Sequence, residues 1–190
     1  MVAHMMKSLT DGVWLPRAQR ELSPNRDARP AVGGLIELVV IHNISLPPGR
    51  FGTKLVQEFF CNRLDCSQDA ALADLAGVEV SAHLFIDRRG VATQFVPFNE
   101  RAWHAGASNW RGRCACNDFA IGIELEGTDD KPYTKAQYRR LGAALGWLFQ
   151  VYPQLSVDRL VGHNEIAPDR KTDPGAAFDW ARLFDLLRSD

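Results

Sequence analysis

The hydrophobic positions fall into short patches with two different periods. Residues 35–41 form an apolar run that is interrupted only by Glu37 and ends at a polar His-Asn pair, which predicts a buried strand. Residues 119–126 alternate between apolar side chains and a Gly-Glu-Glu set, which predicts a strand with one apolar face. Residues 80–86 and 91–98 flank a four-residue segment ending in glycine, and this pattern predicts a hairpin.

Helical periods separate these strands. Thr134 and Gln137 form a capping box that predicts a helix to about Tyr152, before a proline. Further helices are predicted over residues 54–64 and 178–188, and a short strand over 159–162.

Strands and helices do not alternate strictly, so the sequence predicts an α/β fold: a single domain with a central mixed β-sheet flanked by helices. Residues 1–34, rich in Pro, Arg and Gly, are expected to be an irregular N-terminal arm of the same domain. Residues 35–190 are expected to be its main body. Residues 65–78 are weakly helical, and the pattern does not place them.

Charge and cysteine content narrow the partners and the location. The chain has 22 basic and 23 acidic residues in 190, without a basic run, so neither nucleic acid nor a membrane is expected as a partner. The four cysteines do not have zinc-knuckle spacing, so we expect free thiols, with a structural metal site as the alternative. The first residues lack the apolar segment of an export signal, and a cytoplasmic protein is expected.

Two histidines and one aspartate could form a metal site. His42 and His163 each follow a predicted strand, and Asp173 lies ten residues after His163. Two imidazoles and a carboxylate leave one tetrahedral position open, as in a catalytic zinc site. Spacing alone favours the alternative of one packed and one surface histidine, and His83 and His104 are further possible ligands.

Two features strengthen the metal hypothesis. Lys171 lies two residues before Asp173, so in an extended segment both side chains project to the same side, where an ammonium could stabilise an oxyanion. Taken alone, Lys171 is more simply a solvated charge. Glu124 lies on the polar face of its strand and could exchange protons with an attacking water, although Glu126 on that face is geometrically equivalent. Trp103 and Trp110 could wall a substrate site or pack in the core.

Four segments resemble a known enzyme family. They are residues 40–49 (VIHNISLPPG), 101–106 (RAWHAG), 117–129 (NDFAIGIELEGTD) and 166–175 (IAPDRKTDPG). The chain closely resembles the AmpD-type 1,6-anhydro-N-acetylmuramyl-L-alanine amidases from about Trp14 to Leu187. These enzymes share a fold with peptidoglycan recognition proteins and T7-type lysozyme.

The resemblance implies a function and a site. The expected reaction is zinc-dependent hydrolysis of the amide between the lactyl group of (1,6-anhydro)-N-acetylmuramic acid and L-alanine, in cell-wall recycling. The resemblance implies a small muropeptide substrate and one Zn²⁺ per chain, and we expect a monomer. The implied residues and roles are His42, His163 and Asp173 as ligands, Glu124 as acid/base, Lys171 as oxyanion stabiliser, and Asn43 and Trp103 in the substrate cleft.

The resemblance has local exceptions. Relatives carry Pro-Tyr-Phe where this chain has residues 70–72, and Arg where it has Glu79 and Ala115, so the resemblance does not fix the preference for the peptide stem. Two other functions remain open. One is an exported or phage-type lytic amidase acting on polymeric peptidoglycan, and the other is a non-catalytic peptidoglycan-binding module.

Overall fold

A computed structural model describes residues 13–188 as a six-stranded mixed sheet covered by helices on one face and by loops and short helices on the other. The predicted fold class is therefore confirmed. The strands are β1 (Gln19–Arg20), β2 (Arg26–Ala28), β3 (Leu38–Ile44), β4 (Leu84–Ile86), β5 (Ala92–Gln94), β6 (Glu100–Ala102), β7 (Asn109–Trp110), β8 (Arg113–Cys114), β9 (Ala120–Glu126) and β10 (Leu160–Gly162). The helices are α1 (Leu55–Phe60), α2 (Lys135–Val151), α3 (His163–Ile166) and α4 (Trp180–Arg188).

The central sheet has the order β1-β5-β4-β9-β3-β10, and only the β4–β5 pair is antiparallel. β3 and β9 pair over seven residues and lie in the middle of the sheet. Because both faces of this pair are covered, Val39 and Ile41 pack under α2 while Leu38 and Val40 pack on the opposite side. The strand that carries His42 is thus held from both faces.

Helix α2 begins where the sequence predicts. The Thr134 hydroxyl accepts from the backbone N–H of Gln137, and the Gln137 side chain accepts from the N–H of Thr134, which completes the capping box. The buried face of α2, including Leu141 and Leu145, packs on the sheet and on α4. The predicted hairpin of β4 and β5 is also present, with Asp87 accepting two backbone N–H groups in its turn.

Some boundaries were predicted wrongly. β3 runs through His42 to Ile44 instead of ending at residue 41, because pairing with β9 continues past the apolar run. The arm is not wholly irregular, since β1 joins the central sheet and β2 pairs with β6. These pairings rest on backbone hydrogen bonds that its hydrophobic pattern does not reveal. Residues 1–12 of the predicted arm and residues 189–190 lie outside the described residues.

The unplaced segment contains two short 3₁₀ helices, Cys66–Gln68 and Ala70–Leu75, each capped by a preceding aspartate. All four cysteines are free thiols, as expected. Within residues 13–188, none of the helices has the length and apolar character needed to span a membrane.

Candidate metal centre and catalytic cleft

The candidate site lies at the carboxyl edge of the central sheet. Since β3, β9 and β10 run parallel, their carboxyl ends meet at this edge. His42 lies near the end of β3, Glu124 lies opposite it on β9, and His163 directly follows β10 as the first residue of α3. Asp173 reaches the same place from the loop after α3.

One atom from each of His42, His163 and Asp173 faces a common point. The Nδ1 atoms of the two histidines are 2.9 Å apart, and Asp173 Oδ2 is 3.0 Å from His42 Nδ1 and 3.1 Å from His163 Nδ1. Both imidazoles are almost completely buried, with 1% and 2% exposure. Within the described part of the chain, this is the one cluster whose ligand atoms could hold a metal ion.

The backbone around Asp173 is anchored on both sides. Its carbonyl accepts from the N–H of Asn164 at 3.0 Å, and the Tyr133 hydroxyl donates to the carbonyl of Pro174 at 2.8 Å. Gly175 has a φ of +80°, and a Cβ there would lie 2.1 Å from the Cα of Asp129. A glycine is therefore required where this loop passes the end of β9.

The surroundings of His42 and Asp173 keep these two groups in the protonation states that metal binding needs. Burial lowers the pKa of His42 to about 4, an effect that the hydrogen bond to Asp173 only partly opposes. Burial acts to raise the pKa of Asp173, but its hydrogen bonds to His163 and His42 outweigh burial and hold that pKa well below the usual range. Near neutral pH, the cluster thus offers a neutral His42 imidazole and an ionised carboxylate.

The donor set fits a small divalent cation. A carbonyl oxygen only accepts, so the contact of His163 Nε2 with the Ala105 carbonyl at 3.1 Å favours the tautomer with its proton on Nε2 when a cation is bound. The lone pair of His163 Nδ1 would then bind the cation, which would replace the hydrogen bond between Nδ1 and Asp173. The separations of 2.9–3.1 Å are close to the roughly 3.3 Å between ligand atoms of a tetrahedral site with bonds of about 2.0–2.1 Å.

The structure separates the two glutamates that the sequence left equivalent. Glu126 accepts backbone N–H groups from Gly52 at 2.5 Å and from Arg88 at 2.9 Å, so it anchors two loops. Glu124 lines the cleft over His42, and its buried Oε2 has no hydrogen-bond partner among the described residues. Burial, followed by the negative charge of Asp173, raises the pKa of Glu124 well above the usual range, while Lys171 acts against this shift.

Two adjoining hollows open above the cluster. The first has a volume of about 310 Å³ and is lined by Trp103, Glu124 and apolar side chains from α1 and the segment after it. The second has a volume of about 580 Å³ and is lined mainly by polar residues, including Asp129. Asn43 and Lys171 line both hollows, and the Asn43 amide donates to Asp129 at 2.7 Å.

The remaining candidates from the sequence lie outside the cluster. His83 is buried. Its Nδ1 accepts from the N–H of Gly122 and its Nε2 contacts the Glu100 carbonyl, so both ring nitrogens have protein partners. His104 contacts the nitrogen of His42 that points away from the cluster. Trp110 is partly buried and packs against Phe119, which belongs to the core.

The sequence did not predict the groups that contact the histidine ligands on the side away from the cluster. The Ala105 carbonyl contacts His163 Nε2 and also accepts from Arg170 at 2.7 Å. The Asn117 side-chain oxygen accepts from the N–H groups of His104 and Ala105. The position of a backbone carbonyl cannot be read from a sequence. The only sequence signal for this loop was the Trp-His-Ala-Gly run.

Comparison with known proteins identifies close relatives along almost the whole chain. The family model described as N-acetylmuramoyl-L-alanine amidase matches residues 32–176. The 1,6-anhydro-N-acetylmuramyl-L-alanine amidase AmpD of Escherichia coli (strain K12) is 51% identical over 177 residues, which cover 93% of this chain and 96% of that protein.

Solved structures show the same relationship. A crystal structure of a selenomethionine derivative of AmpD matches with a TM-score of 0.90 at 48% identity, covering 93% of this chain and 98% of that chain. The amidase AmiD from E. coli, solved with the substrate anhydro-N-acetylmuramic acid-L-Ala-D-γ-Glu-L-Lys, matches with a TM-score of 0.59 at 30% identity. That match covers 83% of this chain and 60% of AmiD.

Proposed function

The chain belongs to the AmpD-type N-acetylmuramoyl-L-alanine amidase family, and we propose that it hydrolyses the amide between the lactyl group of 1,6-anhydro-N-acetylmuramic acid and L-alanine in cell-wall recycling. The observation that carries this proposal is the cluster of His42, His163 and Asp173 beneath a cleft that also contains Glu124 and Lys171. The likeness to AmpD covers nearly all of both chains, which favours the same substrate class.

The cluster would hold one zinc ion per chain, through Nδ1 of each histidine and a carboxylate oxygen of Asp173. Two imidazoles and one carboxylate form a ligand set that zinc takes in hydrolases, with a position left for water or substrate. When bound there, zinc supplies Lewis-acid chemistry and lowers the pKa of a coordinated water to about 7.

Glu124 is the proposed acid/base. Its carboxylate would take a proton from the attacking water and deliver it to the departing amine nitrogen of L-alanine. Both transfers need a carboxyl group whose pKa lies nearer to neutral than usual, and burial raises the pKa of Glu124 in that direction. Its unpartnered Oε2 leaves a lone pair available for the proton.

Lys171 is the proposed stabiliser of the negative charge that develops on the scissile carbonyl oxygen. Its ammonium belongs to the cleft wall beside Asp173, and its side chain makes no ion pair with other residues in the 13–188 range. An ammonium without a fixed protein partner remains available to the substrate.

Asn43 and Trp103 are proposed to contact the substrate. Asn43 lies where the two hollows meet, so its amide can bind polar groups next to the scissile bond. Trp103 presents an aromatic surface to the smaller hollow, and such surfaces bind the apolar faces of sugar rings and of peptide side chains.

The proposal also concerns location and assembly. A recycling amidase that meets free muropeptides inside the cell works in the cytoplasm, and the four free thiols suit a reducing compartment. The chain is proposed to act as a monomer, because the cluster, Glu124 and Lys171 are all supplied by one chain.

The test is hydrolysis by the zinc-loaded chain of an anhydro-muropeptide and of intact sacculi, side by side, with products identified by mass spectrometry. We expect free peptide and anhydro-N-acetylmuramic acid from the small substrate and little release from sacculi. Faster release from sacculi would indicate a lytic amidase. Binding without cleavage by stoichiometrically loaded protein would indicate a peptidoglycan-binding module.

A further inference from the structure

We propose that His104 is a positioning residue for the metal centre, and that it fixes the orientation and tautomer of His42. This inference rests on the proposed zinc site. His104 lines the smaller hollow but is not part of the metal cluster, and it acts through the ring nitrogen of His42 that faces away from the cluster.

The contact between the two rings is a hydrogen bond. His42 Nε2 lies 2.9 Å from His104 Nδ1, and the rings meet edge to face with centroids 5.0 Å apart. The two nitrogens of an imidazole point in divergent directions, so His104 lies behind His42, on the side opposite His163 and Asp173. When His42 gives the lone pair of Nδ1 to the cluster, its proton is on Nε2, and His104 Nδ1 accepts it.

One ring nitrogen of His104 is paired with His42, and the other, Nε2, is buried without a hydrogen-bond partner among residues 13–188. Leaving a buried polar group unpaired costs about 1–3 kcal/mol. An apolar side chain of similar size would avoid this cost at His104 Nε2, but it would leave Nε2 of the buried His42 without its partner. The chain tolerates this unpaired group, which indicates that Nδ1 on the same ring has a use.

Gly122 provides the space for the ring. A Cβ at this position would lie 2.4 Å from His104 Cγ, which no real structure allows. A glycine in the interior of a central strand weakens that strand and commonly marks a place where another group approaches closely. Gly122 is two residues before Glu124 on β9, so the ring lies on the strand face that carries the proposed acid/base.

The loop that carries His104 is itself fixed. The Asn117 side-chain oxygen accepts the backbone N–H groups of His104 at 3.1 Å and Ala105 at 2.8 Å. The carbonyl of Ala105 lies 3.1 Å from His163 Nε2. One anchored loop therefore contacts the outer nitrogens of both histidine ligands, through a side chain for His42 and through a carbonyl for His163.

The test compares two replacements of similar polarity in the full chain, His104→Asn and His104→Gln, with the apolar His104→Leu. An Asn amide oxygen can occupy the position of Nδ1, whereas the longer Gln places its amide near the position of Nε2. The measurements are zinc affinity, by competition with a chromogenic chelator, and the melting temperature of the metal-free protein.

We expect His104→Leu and His104→Gln to weaken zinc binding by about 10- to 100-fold, as other outer-sphere partners do. His104→Asn should recover most of this loss. The metal-free melting temperature of His104→Leu should stay close to that of wild type, because the variant exchanges an unpaired His104 Nε2 for an unpaired His42 Nε2. Wild-type zinc affinity in His104→Leu, or equal losses in Asn and Gln, would overturn the inference. A wild-type chain that binds no zinc would instead overturn the proposed function.

Discussion

His42 and Glu124 are register partners on the adjacent parallel strands β3 and β9. Side chains that are paired in this way lie side by side on the same face of a sheet, so the register alone brings a proposed zinc ligand next to the proposed acid/base. Neither residue depends on a flexible loop for its position. A slip of one residue between these strands would turn Glu124 to the other face.

Replacement of Glu124 should separate activity from stability. Its folded pKa is raised, so as the pH rises above the unfolded value the folded chain must either keep this carboxyl group protonated or bear a buried charge, and both lower stability. Glu124→Gln removes that charge at nearly constant shape. We expect the metal-free variant to be more stable than wild type at pH 7 in urea unfolding, and turnover of the loaded variant to fall by about 10²-fold or more.

Glu126→Gln is the matched control on the same strand. Each carboxylate oxygen of Glu126 accepts a backbone N–H, and an amide can replace only one of these acceptors. This variant should lose stability and retain most of its turnover. If Glu124→Gln lost stability to the same extent as Glu126→Gln, burial of the Glu124 carboxyl group would not be destabilising, and its assignment would be wrong.

Replacements of Asp173 and Lys171 should have different effects on zinc content and turnover. Asp173→Ala removes one of three proposed ligands, and we expect loss of stoichiometric zinc by elemental analysis. Lys171→Ala removes a charge outside the ligand set, so zinc content should remain and turnover should fall by about 10²- to 10³-fold. Unchanged turnover in Lys171→Ala would remove Lys171 from the mechanism.

The sequence predicted those parts of the fold that depend on local patterns. The capping box at Thr134 and the turn at Asp87 each contain their own hydrogen-bonding groups, and both are found where predicted. The end of β3 was predicted too early, because polarity at His42 indicated a loop, whereas pairing with β9 extends the strand to Ile44. Hydrophobic pattern reports burial, but a cleft can bury polar residues as well.

The candidate site shows the same difference between features set by local sequence and features set by tertiary contacts. Proximity in sequence suggested that Lys171 and Asp173 act together, and the structure places both on the cleft wall. Residue spacing could not distinguish Glu124 from Glu126, because both lie on one face of one strand. Tertiary contacts distinguish them in the structure: Glu126 accepts backbone N–H groups from two loops, whereas Glu124 lines the cleft.

The charge on Lys171 should also set the pH dependence of activity. Lys171 favours the ionised form of Glu124 and so lowers its pKa, against the effects of burial and Asp173. Lys171→Met removes this charge, the pKa of Glu124 rises, and the acid limb of the kcat/KM profile should move to higher pH. Lys171→Arg keeps the charge and should leave the limb near its wild-type position. A limb that did not move in Lys171→Met would show that Glu124 does not control it.

Acid should destabilise the metal-free protein through its buried histidines. Burial lowers the pKa of His42 to about 4, and burial with nearby positive charge lowers the pKa of His83 and His104 well below the usual 6.5. Below pH 6.5 the unfolded chain takes up protons at these positions while the folded chain does not, so stability falls as the pH drops from about 6.5 towards 4. Each such histidine contributes a slope of up to about 1.4 kcal/mol per pH unit, and Glu124, whose folded pKa is raised, contributes one slope of the opposite sign that offsets about one histidine. Urea unfolding at a series of pH values measures the total slope, and His83→Gln should reduce it by about one histidine's share. A free energy of unfolding that stays constant from pH 7 to pH 5 would contradict the assignment of neutral, buried imidazoles.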